Sequence, residues 1–363
     1  MKNINLIALN ADLEIIALLS YTNLQWNRKY HETGHFSVQI PLEQYRNDIR
    51  YVYTKDRPEM GEVTQINYAE QKGYRSIQLS GYFMEKQLDR FVVYPLGTGN
   101  IDNAPAWIEQ SGVAEDVAIA FFDSFKEVTV GGVTASLQVD RMESQGRGNT
   151  TKHTRNGEKL GYKIYSVLKP SGLSYRVSYD FVNSIQSFEI WSGLDRTDSQ
   201  YDNNPVTFST KIGNIKNPNV LLDESNYCNC AISGREAQNE SEQNYVRAVL
   251  GAMDSDYRFV YVASALRPDD YASTDDFYSA MENEAHLEIR NRTKTVSVEF
   301  DALVGSYEYM SDFDLGDKCN VEIPEIGFYA DSRLIGCYEV IKNGVHTLTL
   351  EFGTPIISNT RRM

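Results

Sequence analysis

The chain has 363 residues, with 35 Lys and Arg against 50 Asp and Glu, a formal net charge of −15. A pI near 4.9 excludes a protein that grips nucleic acid over its whole surface, and no apolar run approaches the roughly 20 residues that cross a bilayer. The length suits two or three domains, and 24 Tyr and 15 Phe beside only 10 Pro predict that strands dominate.

The N-terminal stretch MKNINLIALNADLE has no continuous apolar core followed by small residues, so a secretory leader is not expected. From Ile4 to Gly81 the apolar pattern has period two, which predicts a meander of antiparallel strands. Asn10-Ala11-Asp12 breaks the first pair. Next, Leu24, Trp26, Arg28 and Tyr30 alternate with Gln25, Asn27 and Lys29. Phe36, Val38 and Ile40 alternate again until Pro41. Val63–Tyr68 and Tyr74–Leu79 read as a further hairpin, and a buried Trp26 is expected to anchor this region's core.

After Pro95 the period changes. Val113, Val117, Phe121 and Phe125 recur at i+4, the stripe of a helix, and a second helix is predicted over about Glu158–Leu168 with Leu160, Ile164 and Leu168 on one face. The Gly- and Asn-rich stretch between them reads as a loop, in which Arg141, Arg147, Lys152, Arg155 and Lys159 gather positive charge. SYRVSYDF and SFEIWSG form the next hairpin. From about residue 205 strands return, interrupted by a helix over about Ser273–Ile289 with Phe277, Met281 and Ala285 four apart, and Lys342-Asn343-Gly344 marks a tight turn. The fold class is therefore mainly β with an α+β insertion. The expected domains are 1–96, a first β-barrel-like region; 97–204, the insertion; and 205–363, a second β-barrel-like region whose first strands complete the first.

Several motifs imitate chemistry. His31-Glu32-Thr33-Gly34-His35 matches H-E-x-x-H, but that spacing gathers both imidazoles on one zinc only along a helix, and here it falls between alternating segments. An exposed hairpin turn is the better reading. Gly146-Arg147-Gly148-Asn149-Thr150-Thr151-Lys152 lacks the spacing of a phosphate loop. Asp269-Asp270 and Asp275-Asp276 sit at helix starts, where carboxylates oppose the positive end of the dipole. Cys228, Cys230, Cys319 and Cys337 are too few for a disulfide scaffold and poorly spaced for zinc, so packed thiols are expected. No catalytic, cofactor-binding or metal residue is assigned, and no enzyme is read from the chain.

The segment from Leu24 to Pro41, with Trp26, Arg28, Tyr30, Gly34, Phe36 and Pro41 at its fixed places, resembles the opening hairpin of the siphovirus-type tail baseplate-hub family, which is similar in fold to the hub of contractile tails. Asp312-Phe313-Asp314-Leu315-Gly316-Asp317, with the strand after it, and the Asn343-Gly344 turn leading to Gly353 are similar to the family's C-terminal signatures.

The resemblance implies a structural phage or prophage protein of the virion tail, made in the bacterial host cytoplasm. It implies a homotrimer forming a ring at the tail tip or baseplate, between the tail tube or distal tail protein and the tip or fibre proteins. DNA would be met only in transit through the channel, and neither cofactors nor stable membrane binding are implied. An acidic wall that repels the DNA backbone suits such a channel. Many relatives continue into peptidoglycan-cleaving or receptor-binding domains; a chain ending at Met363 is expected to lack them. The competing readings are a carbohydrate- or receptor-binding module, with Tyr201, Tyr271, Tyr307 and Tyr309 exposed on one face, and a cell-wall hydrolase.

Overall fold

Alternation in the first hairpin becomes burial directly. In the strands Asn23–Lys29 and His35–Pro41 every second side chain is buried, and Leu24, Trp26, Phe36, Val38 and Ile40 enter one core. The computed structural model describes residues 4–71, 73–94, 109–130, 132–153, 157–181, 183, 185–237, 242–251, 256–303 and 305–357. Trp26 is fully buried, its ring 4.8 Å from Phe83 and 5.9 Å from Phe36 between centroids.

Most described strands belong to one 14-stranded sheet. From Val345–Ile357 the path runs through Phe328–Lys342, Asn23–Lys29, His35–Pro41, Tyr74–Phe83, Met60–Gln71, Tyr51–Tyr53 and Leu6–Leu9 to Ile15–Leu19. The predicted meander is therefore broken. The hairpin Leu6–Leu9/Ile15–Leu19 lies at the far end and joins through Tyr51–Tyr53, while Asn23–Lys29 takes its outer partner from the C-terminal region. Opposite Arg28 stands Cys337, and opposite Trp26 stands Glu339. The tight turn also forms: Lys342 pairs with Val345, and Asn343 (φ 50°) and Gly344 (φ 78°) both take the positive φ of a type I′ hairpin.

Three helices occur among the described residues: α1 (Ala114–Phe125), α2 (Leu160–Leu168) and α3 (Thr274–Asn291). The stripes read from the sequence are the buried ones: Val117, Phe121 and Phe125 on α1, and Leu160, Ile164 and Leu168 on α2. Their core is shared with the predicted hairpin Ser174–Asp180/Ile185–Trp191 and with Leu9, Met60, Met84 and Leu88 from the first hundred residues.

Compactness divides the chain into Met1–Asn219 with Glu299–Met363, and Val220–Val298. Strand pairing and the shared core run across residues 96 and 204, and such non-local partners leave no periodicity to read. The smaller unit contains the three-stranded sheet Tyr245–Leu250, Cys230–Arg235, Phe259–Ala263 and α3, whose Ala285 packs on Ala231 and Val249. Ser273 caps α3: its Oγ accepts the Asp276 N–H at 3.1 Å and donates to Asp276 Oδ2 at 2.8 Å.

Candidate functional site

The inward face of Asn23–Lys29 carries a charge. Arg28 follows Leu24 and Trp26 on that face and is 1% exposed, so its guanidinium requires buried partners. Nε donates to Glu59 Oε1 at 2.7 Å, and Nη1 donates to Asp314 Oδ1 at 2.6 Å and to the Tyr309 hydroxyl at 2.7 Å. Burial works against the charge, but Glu59, Tyr309 and Asp314 outweigh it and hold Arg28 protonated well above the ordinary guanidinium range. Arg57 lies over the same Tyr309 ring at 5.3 Å and forks onto Glu339, which His346 also meets at 3.1 Å. Glu339 is opposed by burial and held below the usual carboxylate range by His346 and Arg57.

Asp314 belongs to the C-terminal segment Asp312–Asp317, a turn tied down by hydrogen bonds. The Asp317 carboxylate is 3% exposed and accepts the backbone N–H groups of Leu194 (2.7 Å) and Asp314 (3.0 Å) and Arg196 Nε (2.7 Å). Gly316 has φ +87°, and a Cβ there would lie 2.5 Å from the Tyr30 ring, so only glycine fits. Tyr30 packs edge-on against Trp191 at 5.0 Å and donates to the Gly172 carbonyl at 2.9 Å. The first hairpin and the C-terminal motif, whose resemblances were noted separately, thus meet in one junction some 280 residues apart in sequence, with Trp191 and Gly172 of the insertion against it.

The decoys resolve as geometry. The H-E-x-x-H residues lie in a hairpin loop and the start of a strand, but neither histidine is exposed as expected; both are half-buried. His31 packs against Tyr30 at 4.5 Å and is held neutral, its pKa lowered to about 3 by burial and then by Lys169 and Arg333. His35 Nε2 meets the Asn27 amide at 2.9 Å. Among the described residues, no group of three His, Cys, Asp or Glu side chains is placed to hold a metal ion. In the basic loop Arg147 is clamped by Glu115 at 2.8 Å, Arg141 by Asp123 at 2.8 Å and Lys152 by Glu109 at 2.9 Å, while Arg155 lies outside the described residues. All four thiols are buried and unpaired with one another.

The four tyrosines proposed as a glycan face differ in their surroundings. Tyr201 is fully exposed, but Tyr309 is enclosed by two guanidiniums and Tyr307 receives the Thr207 N–H at 3.2 Å and packs on Phe208. Tyr271 packs on Phe277 in the other compact unit.

The β-rich fold with its α+β insertion is one that tail proteins of prophages also adopt. It is similar to the 43 kDa tail protein of prophage MuSo2 from Shewanella oneidensis, with 11% identity and a TM-score of 0.60 over 97% of this chain and 98% of that one. A tail protein from Neisseria meningitidis MC58 gives 12% identity and a TM-score of 0.57 over 97% of each chain. Prophage tail protein gp18 from Listeria monocytogenes EGD-e gives 12% identity and a TM-score of 0.50 over 99% of this chain and 95% of that one. No curated protein sequence matches the chain. The model of the Siphovirus ReqiPepy6 Gp37-like protein family matches residues 6–354, and the chain belongs to that family, a structural component of phage or prophage tails.

Proposed function

We propose that this tail protein is the hub of the tail tip: a ring of three copies between the tail tube or distal tail protein and the tip or fibre proteins, through which DNA passes without being bound. The observation that carries the reading is the junction at Arg28. It joins the hairpin and the C-terminal motif, both similar to hub signatures, within one compact unit built on a continuous sheet. In this reading segments 1–96 and 205–363 supply the two barrel-like parts of the hub, and 97–204 is the insert. The sheet ends in an edge strand, Ile15–Leu19, whose Ile15 and Leu18 are exposed; an open apolar edge suits closure by a neighbouring copy. The charge of −15 suits a channel wall that DNA slides past.

The role is structural and non-enzymatic. The buried charges of the junction pair with one another, Arg28 with Glu59 and Asp314 and Arg57 with Glu339. The enclosure of Tyr309 by two guanidiniums and the packing of Tyr307 on Phe208 take support from a glycan-binding face, and the half-buried histidines lend none to a hydrolase. Electron microscopy of purified tails, or of the chain co-expressed with its neighbouring tail proteins, tests the proposal. A three-copy ring on the tail axis between tube and tip is the expected density; finding the chain only in a peripheral fibre, away from the axis, would refute it.

A further inference from the structure

Glu85 lies on the 3₁₀ segment Met84–Arg90 and is 5% exposed; Glu59, directly before the strand Met60–Gln71, is 8% exposed. Both line a cavity enclosing about 10 Å³, which is room for a single water molecule. One oxygen of each is engaged: Glu59 Oε1 by Arg28, and Glu85 Oε1 by the Val177 N–H at 3.2 Å. The Oε2 atom of each is buried without a partner. Two carboxylates sharing such a space cannot both be charged without a large penalty, and Glu59 is the one that Arg28 meets, at 2.7 Å. That leaves Glu85 as the carboxyl to which a proton would go.

We propose that Glu85 and Glu59 form a proton-controlled latch: a proton on Glu85 seats the strand Ser174–Asp180 of the insertion against the first hairpin, and its loss loosens that seat. The groups facing Glu85 come from several elements. Arg28 approaches from the first hairpin, Glu59 from just before Met60–Gln71, Arg176 and Tyr175 from Ser174–Asp180, and Tyr165 from α2. Arg176 is already engaged by Glu189 and lies over Trp191 at 5.1 Å, so its cation is balanced elsewhere. On Glu85's own segment Lys86 and Asp89 pair at 2.7 Å, and Lys29 and Glu32, which also line the cavity, pair at 3.0 Å. Tyr165 and Tyr175 are neutral phenols, raised by burial.

Burial first, and Glu59 next, lift the Glu85 carboxyl from 4.5 to about 7 against its backbone hydrogen bonds and Arg176. A folded-state pKa raised above the unfolded one means that the folded chain holds an extra proton between those two values. The latch is thus complete below the unfolded value, weakens as pH rises through that window, and is lost above about 7.

The test is a carboxyl titration by NMR on the full chain with ¹³C-labelled Glu side chains, comparing the wild type with Glu85→Gln, together with amide exchange at Val177. One resonance missing from the variant should titrate with a midpoint of about 7. Val177 protection in the wild type should fall roughly tenfold or more between pH about 6 and about 8.5 after correction for intrinsic exchange, and stay level in Glu85→Gln. A Glu85 midpoint below about pH 5, or the same loss of protection in the variant, would overturn the latch. If Glu85→Gln does not fold, the wild-type titration decides alone, with assignment by sequential connectivity to Glu85.

Discussion

The two compact units hold themselves together by opposite means. In the smaller, Val220–Val298, the contacts are local: α3, capped by Ser273, lays Phe277, Met281 and Ala285 toward a three-stranded sheet. The other face of that sheet carries Val246, Leu250, Phe259 and Tyr261, each more than half exposed. In the larger unit the central contacts are long-range and charged. Arg28, Glu59, Asp314, Arg57 and Glu339 join strands far apart in sequence, and the aromatic rings of Trp26, Tyr30 and Tyr309 lie around them. Local contacts cost little chain entropy to form, whereas the junction closes a loop of nearly the whole chain and so must be specific to be worth forming. A buried ion pair is weak evidence of net stability but strong evidence of a unique arrangement, since removing one partner strands the others.

That contrast can be broken at graded points. Arg28→Ala leaves Glu59 and Asp314 without their cation in the interior and should cost about 3–5 kcal/mol in urea denaturation. Trp26→Ala, which empties the core beside Phe36 and Phe83, belongs to the same range of about 3–5 kcal/mol; an unchanged midpoint would place the ring outside the folding core. Gly316→Ala forces a Cβ toward the Tyr30 ring at positive φ, with an expected loss of about 1–3 kcal/mol and a shift in the fluorescence of Trp191, which stands beside both. In the smaller unit Ser273→Ala should cost only about 1 kcal/mol, seen as faster amide exchange in the first turn of α3 and not at Arg28. Tyr201→Ser, at a fully exposed position, should move stability by less than about 0.5 kcal/mol and leave tail assembly intact.

Much of the fold was legible because it rests on period. Alternation placed the strands of the first hairpin, the i+4 stripes placed all three helices to within a few residues, and Asn343-Gly344 announced its turn. The sheet order was not legible, because nothing in Phe328–Lys342 says that its neighbour is Asn23–Lys29 rather than the next strand along the chain. The junction itself left one readable sign. Arg28 shares a parity with Leu24 and Trp26, so a charge stood on a face otherwise apolar, and a charge there demands a buried acid. The resemblance points to Arg28 and to Asp312–Asp317 separately; only the fold brings them together. Tyr309 misled for the converse reason: in a polar stretch it reads as exposed, yet Arg28 and Arg57 enclose it from far along the chain. Glu59 and Glu85 carry no pattern at all, since a single carboxylate beside a strand is ordinarily solvated.

The hairpin and the C-terminal motif form one object only if their buried charges are energetically coupled. A double-mutant cycle between Arg28→Ala and Asp314→Ala, measured by urea denaturation on the full chain, addresses this most directly. The 2.6 Å charge-assisted contact predicts a coupling of at least about 1 kcal/mol, with the double variant losing less than the two single losses combined. Losses that simply add, to within about 0.3 kcal/mol, would contradict the junction as the element that unites the two ends of the chain.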